Sequence, residues 1–286
     1  MTEKHIEDSS APLIEHLVEL RARLMWSLAA FVVAVLASFT VAEPIFDFLA
    51  QPISSAMASR GHDPTLIFTG AHKAFFTYVS VSLFTGFCVA FPIIANQLWK
   101  FVAPGLYRQE QKAFLPFLIA TPVLFILGGS FAYFAALPLA FDFFLSFENP
   151  GGGEDLEIKF LGTVDEYLGL TMKFILAFGI CFQLPVALTL LGKADLVSAQ
   201  KLRETRKYAV VGILVVAALV TPPDVVTQLI LFSVVYALYE VSIQLVRMVE
   251  KKREERLREE GYEADDLDDE IDDEEDVAEA DPEPGR

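Results

Sequence analysis

Cysteine and histidine are scarce in this chain, and the motifs of catalysis are missing. Cys88 and Cys181 lie inside apolar runs with no CxxC spacing and no neighbouring His, so neither a disulfide framework nor a thiolate metal site is indicated. They read as small buried hydrophobes. The four His (His5, His16, His62, His72) form no HExxH or similar ligand pattern. Without GxSxG, a P-loop or GxGxxG, hydrolase, NTPase and dinucleotide chemistries have no foothold. We therefore expect no enzyme activity, no catalytic residue, no metal and no cofactor. The N-terminus also lacks the basic segment of a cleavable signal, carrying Glu3, Glu7 and Asp8 instead. The first apolar run is expected to stay as an anchor.

Charge is thin as well. Only 21% of the 286 residues are charged, whereas 53% are apolar and 25 are Phe, a balance that points away from a soluble domain. The net charge of −17 is uneven, because Glu259–Arg286 holds sixteen acidic residues against one Arg. That segment should remain solvated and disordered, and it suits neither nucleic acid nor anionic lipid.

What the chain does have is six apolar segments, about 24–42, 75–95, 114–141, 167–191, 208–220 and 225–246. A spanning helix needs about 20 residues to cross about 30 Å of hydrocarbon. The first four meet this. The fifth reaches only about 20 Å at 1.5 Å per residue, and Glu240 leaves the sixth fifteen residues before a charge. Both are expected to be short, as two thin spans or a re-entrant pair joined at Thr221-Pro-Pro-Asp224. Seventeen Lys and Arg flank one side of the spans and three (Arg60, Lys73, Lys159) the other, which predicts cytoplasmic N- and C-termini. The long loops at about 43–74 and 142–166 then lie outside, where Phe46, Phe48, Ile67, Phe68, Phe160 and Leu161 favour packing as an extracytoplasmic cap. Pro92, Pro116, Pro122, Pro138 and Pro185 fall within helices. They either kink them into a concave arrangement or are simply tolerated, as membrane helices often tolerate proline. The expected fold is an all-α polytopic membrane protein. It has a cytoplasmic amphipathic arm (1–23), a six-helix membrane domain (24–246), and a cytoplasmic tail, basic then acidic and disordered (247–286).

Two carboxylates stand out at the basic membrane boundary. In Leu13-Ile-Glu15-His-Leu17-Val-Glu19-Leu20-Arg21-Ala-Arg23-Leu24, the leucines form one helical stripe while Glu15, Glu19 and Arg23 fall four apart on another face. Glu19 is either a partner of Arg23, worth a few tenths of a kcal/mol, or a ligand for an external cation. Glu110 opens the third span after the Pro104-Gly105 turn. There it can serve the helix dipole or pair with Arg108 or Lys112. Two carboxylates from different helices also suit guanidinium groups, which they bind bidentately. Gln183 lies in a span, as a hydrogen-bond partner for this chain or for another helix. Asp224 is placed to N-cap the sixth segment or to line a far-side opening.

The stretches Leu17–Leu24, Trp99-Lys-Phe101-Val-Ala-Pro104-Gly-Leu-Tyr107-Arg-Gln-Glu110, Phe131-Ala-Tyr133-Phe-Ala-Ala-Leu-Pro138-Leu-Ala-Phe141 and Thr221-Pro-Pro-Asp224 together resemble the TatC family over about residues 11–250. That resemblance implies the core of the twin-arginine translocase, which exports folded proteins across the cytoplasmic (inner) membrane. It implies that Glu19 and Glu110 receive the paired arginines of a signal peptide, with Phe101 beside them and Arg21 in the same motif. It further implies single-span TatA/TatB-type partners, one of them contacting Gln183, within an oligomeric complex in the bilayer. Pro52, Tyr133, Pro138, Pro223 and Asp224 are implied as structural or functional turn positions. Two other classes compete. A small-molecule or ion transporter is disfavoured by spans holding only Lys173 near their interior and by the absence of a visible inverted repeat. An intramembrane enzyme would need a polar constellation at membrane depth that the spans do not offer.

Overall fold

Apolar runs too long for a soluble core fold here into helices that pair across small residues. The computed structural model describes residues 4–61, 63–102, 111–148, 162–222 and 224–259. The helices are α1 (Lys4–Thr40), α2 (Ala42–Ser59), α3 (Ala71–Val102), α4 (Gln111–Phe131), α5 (Leu137–Leu145), α6 (Val164–Cys181), α7 (Leu184–Lys193), α8 (Ala199–Glu204), α9 (Arg206–Val220) and α10 (Val225–Glu259). A single π-helical turn, Ala132–Ala136, joins α4 to α5. Among the described residues, five runs are long and apolar enough to cross a bilayer: Val18–Thr40, Ala71–Phe101, Leu115–Leu145, Val164–Lys193 and Val225–Arg256. With 15 residues, α9 reaches only about 22 Å. Many large apolar side chains face outward, Trp26 and Phe134 at 71% exposure and Leu219 at 81%. In water these would be a liability; hydrocarbon is the solvent that suits them.

Close contacts set the helix pairing. A methyl group at Gly86 of α3 would lie 2.5 Å from a side-chain methyl of Val35 and 2.8 Å from its backbone on α1. Phe46, just past α1, meets Tyr78 of α3 at 5.5 Å between ring centres. As the α3 contacts advance from Tyr78 to Gly86, their partners retreat from Phe46 to Val35, so α1 and α3 are antiparallel. In the same way Gly128 of α4 lies on the Phe178 backbone, and Gly179 of α6 on the Phe125 ring. Small residues let membrane helices approach until backbones touch, which is where dispersion rather than hydrophobicity holds them.

Three expectations need correction. The sixth segment is not short. Glu240 does not end it, because α10 continues as one 35-residue helix, and Arg206 of α9 pairs with the Glu240 carboxylate at 2.7 Å. A charge with a partner on the next helix need not terminate a span. Secondly, the basic stretch from Arg247 does not begin a disordered tail; it is helical to Glu259. Good helix formers, the Arg253–Asp195 pair at 2.6 Å and a looser Lys251–Glu255 contact extend it. Asp195 closes α7 in a left-handed conformation at φ 62°, and hydrogen bonding from Arg253 holds its carboxyl below the usual range. Thirdly, the segment after the first span is not all loop. It contains α2, whose buried face Leu49, Pro52, Ile53, Ala56 and Met57 recurs at helical spacing.

The two segments expected to form a cap meet at a parallel bridge. Ile67 donates to Gly162 O at 3.3 Å, and Val164 donates to Ile67 O at 3.1 Å. Arg60 in turn donates to the carbonyls of Leu145 (2.8 Å) and Asp142 (2.7 Å) at the end of α5, satisfying groups a helix terminus leaves open.

Three of the positions the resemblance implied as structural or functional turns are helical, in keeping with the apolar segment 114–141 for two of them. Pro52 lies inside α2, Tyr133 in the π turn, and Pro138 at the start of α5. Proline's missing N–H explains how they work together. Pro52 cannot bond the Phe48 carbonyl four residues earlier, and the Tyr133 hydroxyl donates to that oxygen at 2.6 Å. The Tyr167 hydroxyl donates to Leu49 O at 2.9 Å and accepts from the Ile53 amide at 3.4 Å. Pro138 likewise cannot donate to Phe134 O, and the backbone just before it widens to π geometry. Tyr133→Phe keeps the Phe48–Tyr133 ring stack (4.4 Å, 8°) but strands a carbonyl. Thermal unfolding in detergent should report about 1–3 kcal/mol of lost stability.

Candidate functional site

The α1–α3 register sets the level of the acidic motif. From the Val35–Gly86 contact, Glu19 lies sixteen residues back along α1, about 24 Å, and Phe101 fifteen residues onward along antiparallel α3, about 22 Å. The two therefore reach the same end of the helix pair, although eighty-two positions separate them. The stacked rings of Phe91 and Phe125, 3.9 Å apart, bring α4 into the same frame, so α4 starts on the side where α3 ends. Buried Trp99 fixes this corner, its indole N–H donating to Thr121 Oγ1 at 3.2 Å.

At that end Glu19 accepts a hydrogen bond from Arg23 Nη2 at 2.5 Å, the i,i+4 pair anticipated from spacing. Arg23 Nη1 is buried with no partner among the described residues. Arg21 is exposed and Phe101 half-buried. Glu110 lies outside the described residues, as does the turn at Pro104-Gly105; the described chain resumes at Gln111, the first residue of α4. The end therefore brings one carboxylate, two guanidinium groups and an aromatic ring to one level.

Gln183 occupies the break between α6 and α7, where Pro185 opens the next helix. Its Nε2 donates to Thr121 O of α4 at 3.1 Å and to Gly179 O at 3.3 Å. The intrachain bond foreseen for this amide is thus made. Its Oε1 is buried and unpartnered among the described residues. Gln183 borders a 540 Å³ groove walled mainly by apolar side chains, among them Leu184, Leu188, Ile213, Val216 and Val235.

Asp224 caps α10: its Oδ1 accepts from the Thr227 amide at 2.7 Å, and Thr227 Oγ1 also donates to the carboxylate. Pro223 lies outside the described residues. Sequence reasoning did not single out Trp99–Thr121 or Arg206–Glu240. The first was legible as the Trp of the Trp99–Glu110 motif; the second joins positions 34 apart and left no local signal.

Residues 15–233 match the family model described as Sec-independent protein translocase protein (TatC). The chain is 45% identical over 249 residues to the Sec-independent protein translocase protein TatC of Magnetococcus marinus, covering 87% of this chain and 89% of that relative. The TatC protein of Escherichia coli K12 is 35% identical, covering 83% and 88%. A crystal structure of the twin-arginine translocase receptor TatC superposes with a TM-score of 0.72 at 36% identity, spanning 82% of this chain and 99% of that one.

Proposed function

The chain belongs to the TatC family of Sec-independent protein translocase proteins, and from that premise we propose that it is the receptor and core subunit of a twin-arginine translocase in the cytoplasmic membrane. The family is one of transport subunits rather than catalysts, and the small-molecule transporter reading has no support among the relatives. In this reading Glu19 and Glu110 jointly hold the two guanidinium groups of a signal peptide. The convergence of Glu19 and Phe101 at one helix end carries the proposal. Carboxylate–guanidinium pairs are bidentate where ammonium pairs are not, so Arg-Arg is preferred to Lys-Lys. Phe101 adds a ring face for one guanidinium, worth about 1 kcal/mol, and Arg21 stays in the motif without facing the ligand as a carboxylate partner.

The arrangement we propose has six membrane helices, α9 being the short one, in a concave kinked set with cytoplasmic termini. The arm 1–23 lies at the cytoplasmic boundary, and the α2 region with the segment around Gly162 forms an outer cap. The acidic stretch beyond Glu259 lies outside the described residues. The open Oε1 of Gln183, set at an apolar groove, supports a contact with a polar group on a single-span TatA/TatB-type subunit; as an amide it carries no proton.

A photoreactive phenylalanine analogue in place of Phe101 in the membrane-embedded full chain tests the reading. It should crosslink an Arg-Arg signal peptide and leave its Lys-Lys counterpart largely unlabelled. Equal crosslinking of both would mean that the carboxylates do not select the ligand.

A further inference from the structure

Two chambers on the α2 side of the membrane domain share a wall and differ in chemistry. The inner one, 370 Å³, lies among Phe48, Phe84, Cys88, Phe125, Ser130 and Ile175, at the depth of the spans Ala71–Phe101 and Leu115–Leu145. The outer one, 350 Å³, is lined by Gln51, Ser55, Ser59 and Asp142. Tyr133 and Phe134 border both. Phe134 is exposed, so the pair opens to the bilayer rather than to a sealed core.

From these observations we propose that the two chambers form one binding site for a phospholipid of the leaflet on the α2 side, with an acyl chain in the inner chamber and a primary-ammonium headgroup at Asp142. The length fits. From Phe125 to Asp142 is seventeen helical residues, about 25 Å, against about 20–22 Å for half a bilayer with its headgroups. The polarity gradient runs the same way, from rings inside to hydroxyls, an amide and a carboxylate outside. Asp142 is exposed, and its carboxylate makes no ion pair among the described residues; Arg60 takes only its backbone carbonyl, at 2.7 Å. A free carboxylate beside Ser and Gln donors suits a zwitterion, the ammonium on Asp142 and the phosphate against Gln51 and Ser55. An anionic headgroup would bring no cation to the Asp142 carboxylate, and a quaternary ammonium would have no N–H to donate.

The experiment is native mass spectrometry of the full chain, delipidated in detergent and offered phosphatidylethanolamine, phosphatidylglycerol or phosphatidylcholine with identical chains. Wild type should retain the ethanolamine lipid about tenfold better than either alternative, a ratio of the size one charged hydrogen bond supplies. Asp142→Asn, which keeps side-chain size and leaves the Arg60 contact with the backbone intact, should bring the three lipids to parity. Ser130→Phe, filling the inner chamber, should cut retention of the bound lipid while the protein stays folded by circular dichroism. Equal retention of all three lipids by wild type, or an unchanged preference in Asp142→Asn, overturns the site. So does displacement of the lipid by a signal peptide, which would make the groove a peptide site. The lipid ratios of wild type and variants do not depend on the arginine pair at Glu19.

Discussion

Glu19→Gln and Glu110→Gln should each weaken binding of an Arg-Arg signal peptide by about 1.5–3 kcal/mol per charged hydrogen bond lost, roughly ten- to more than a hundredfold. The amide keeps the shape of the carboxylate and one acceptor but loses the charge and the symmetric pair of oxygens that a guanidinium fork requires. The double variant should cost less than the sum of the singles, because both carboxylates serve one ligand. Titration of a fluorescent peptide into detergent-solubilised protein measures this. The Arg23 contact at 2.5 Å supplies the competing account: if Glu19 serves only that pair, the part-buried i,i+4 bridge is worth about 0.3–0.5 kcal/mol, and Glu19→Gln changes stability slightly and binding not at all. Glu15→Ala, one turn earlier on α1, is the internal control and should be mild. Wild-type affinity in both Gln variants, with Arg-Arg still preferred over Lys-Lys, would move the receptor site elsewhere.

The acidic motif was legible in sequence because its logic is local: a greasy stripe, a carboxylate off that stripe, and a basic boundary. The depth of Glu19 relative to Phe101 was not, since it depends on Gly86 admitting Val35, a contact between residues fifty-one positions apart. The sixth segment was misjudged for a similar reason. A lone Glu240 in a hydropathy count looks like an end, and only the fold supplies Arg206 at 2.7 Å. Pro52, which the resemblance implied as a structural or functional turn position, lies inside α2, because the carbonyl it orphans is taken up by the Tyr133 hydroxyl. In each case the local rule held and a distant side chain changed the outcome. Asp224, whose partner is three residues away, needed no such help: capping the following helix is one of the two roles its sequence position suggests.

Cysteines introduced one at a time into a Cys88→Ala, Cys181→Ala background should divide cleanly by side. At Ser55, exposed on α2, an impermeant thiol reagent should label the protein fully in intact cells; at Ser198 it should label only after the membrane is opened. The Ser198 position is a demanding choice because it is tied to the membrane domain rather than dangling from it. Ser198 caps α8, accepting from the Lys201 amide at 3.2 Å, and α8 is clasped to α10 by Tyr239 donating to Leu202 O at 2.7 Å and by the Ala199 amide donating to Glu250 at 2.8 Å. Losing the cap costs about 1 kcal/mol, too little to release a helix held at two further points, so the label reports the native side. In the proposed arrangement four crossings, Val18–Thr40, Ala71–Phe101, Leu115–Leu145 and Val164–Lys193, lie between the N-terminus and Ser198, and an even number returns the chain to the side it left. Labelling of Ser198 from outside would mean that Val164–Lys193, broken at Gln183, turns back without crossing. The five Lys and Arg between Lys193 and Lys207 would then sit on the outer face, against the charge asymmetry that orients the rest.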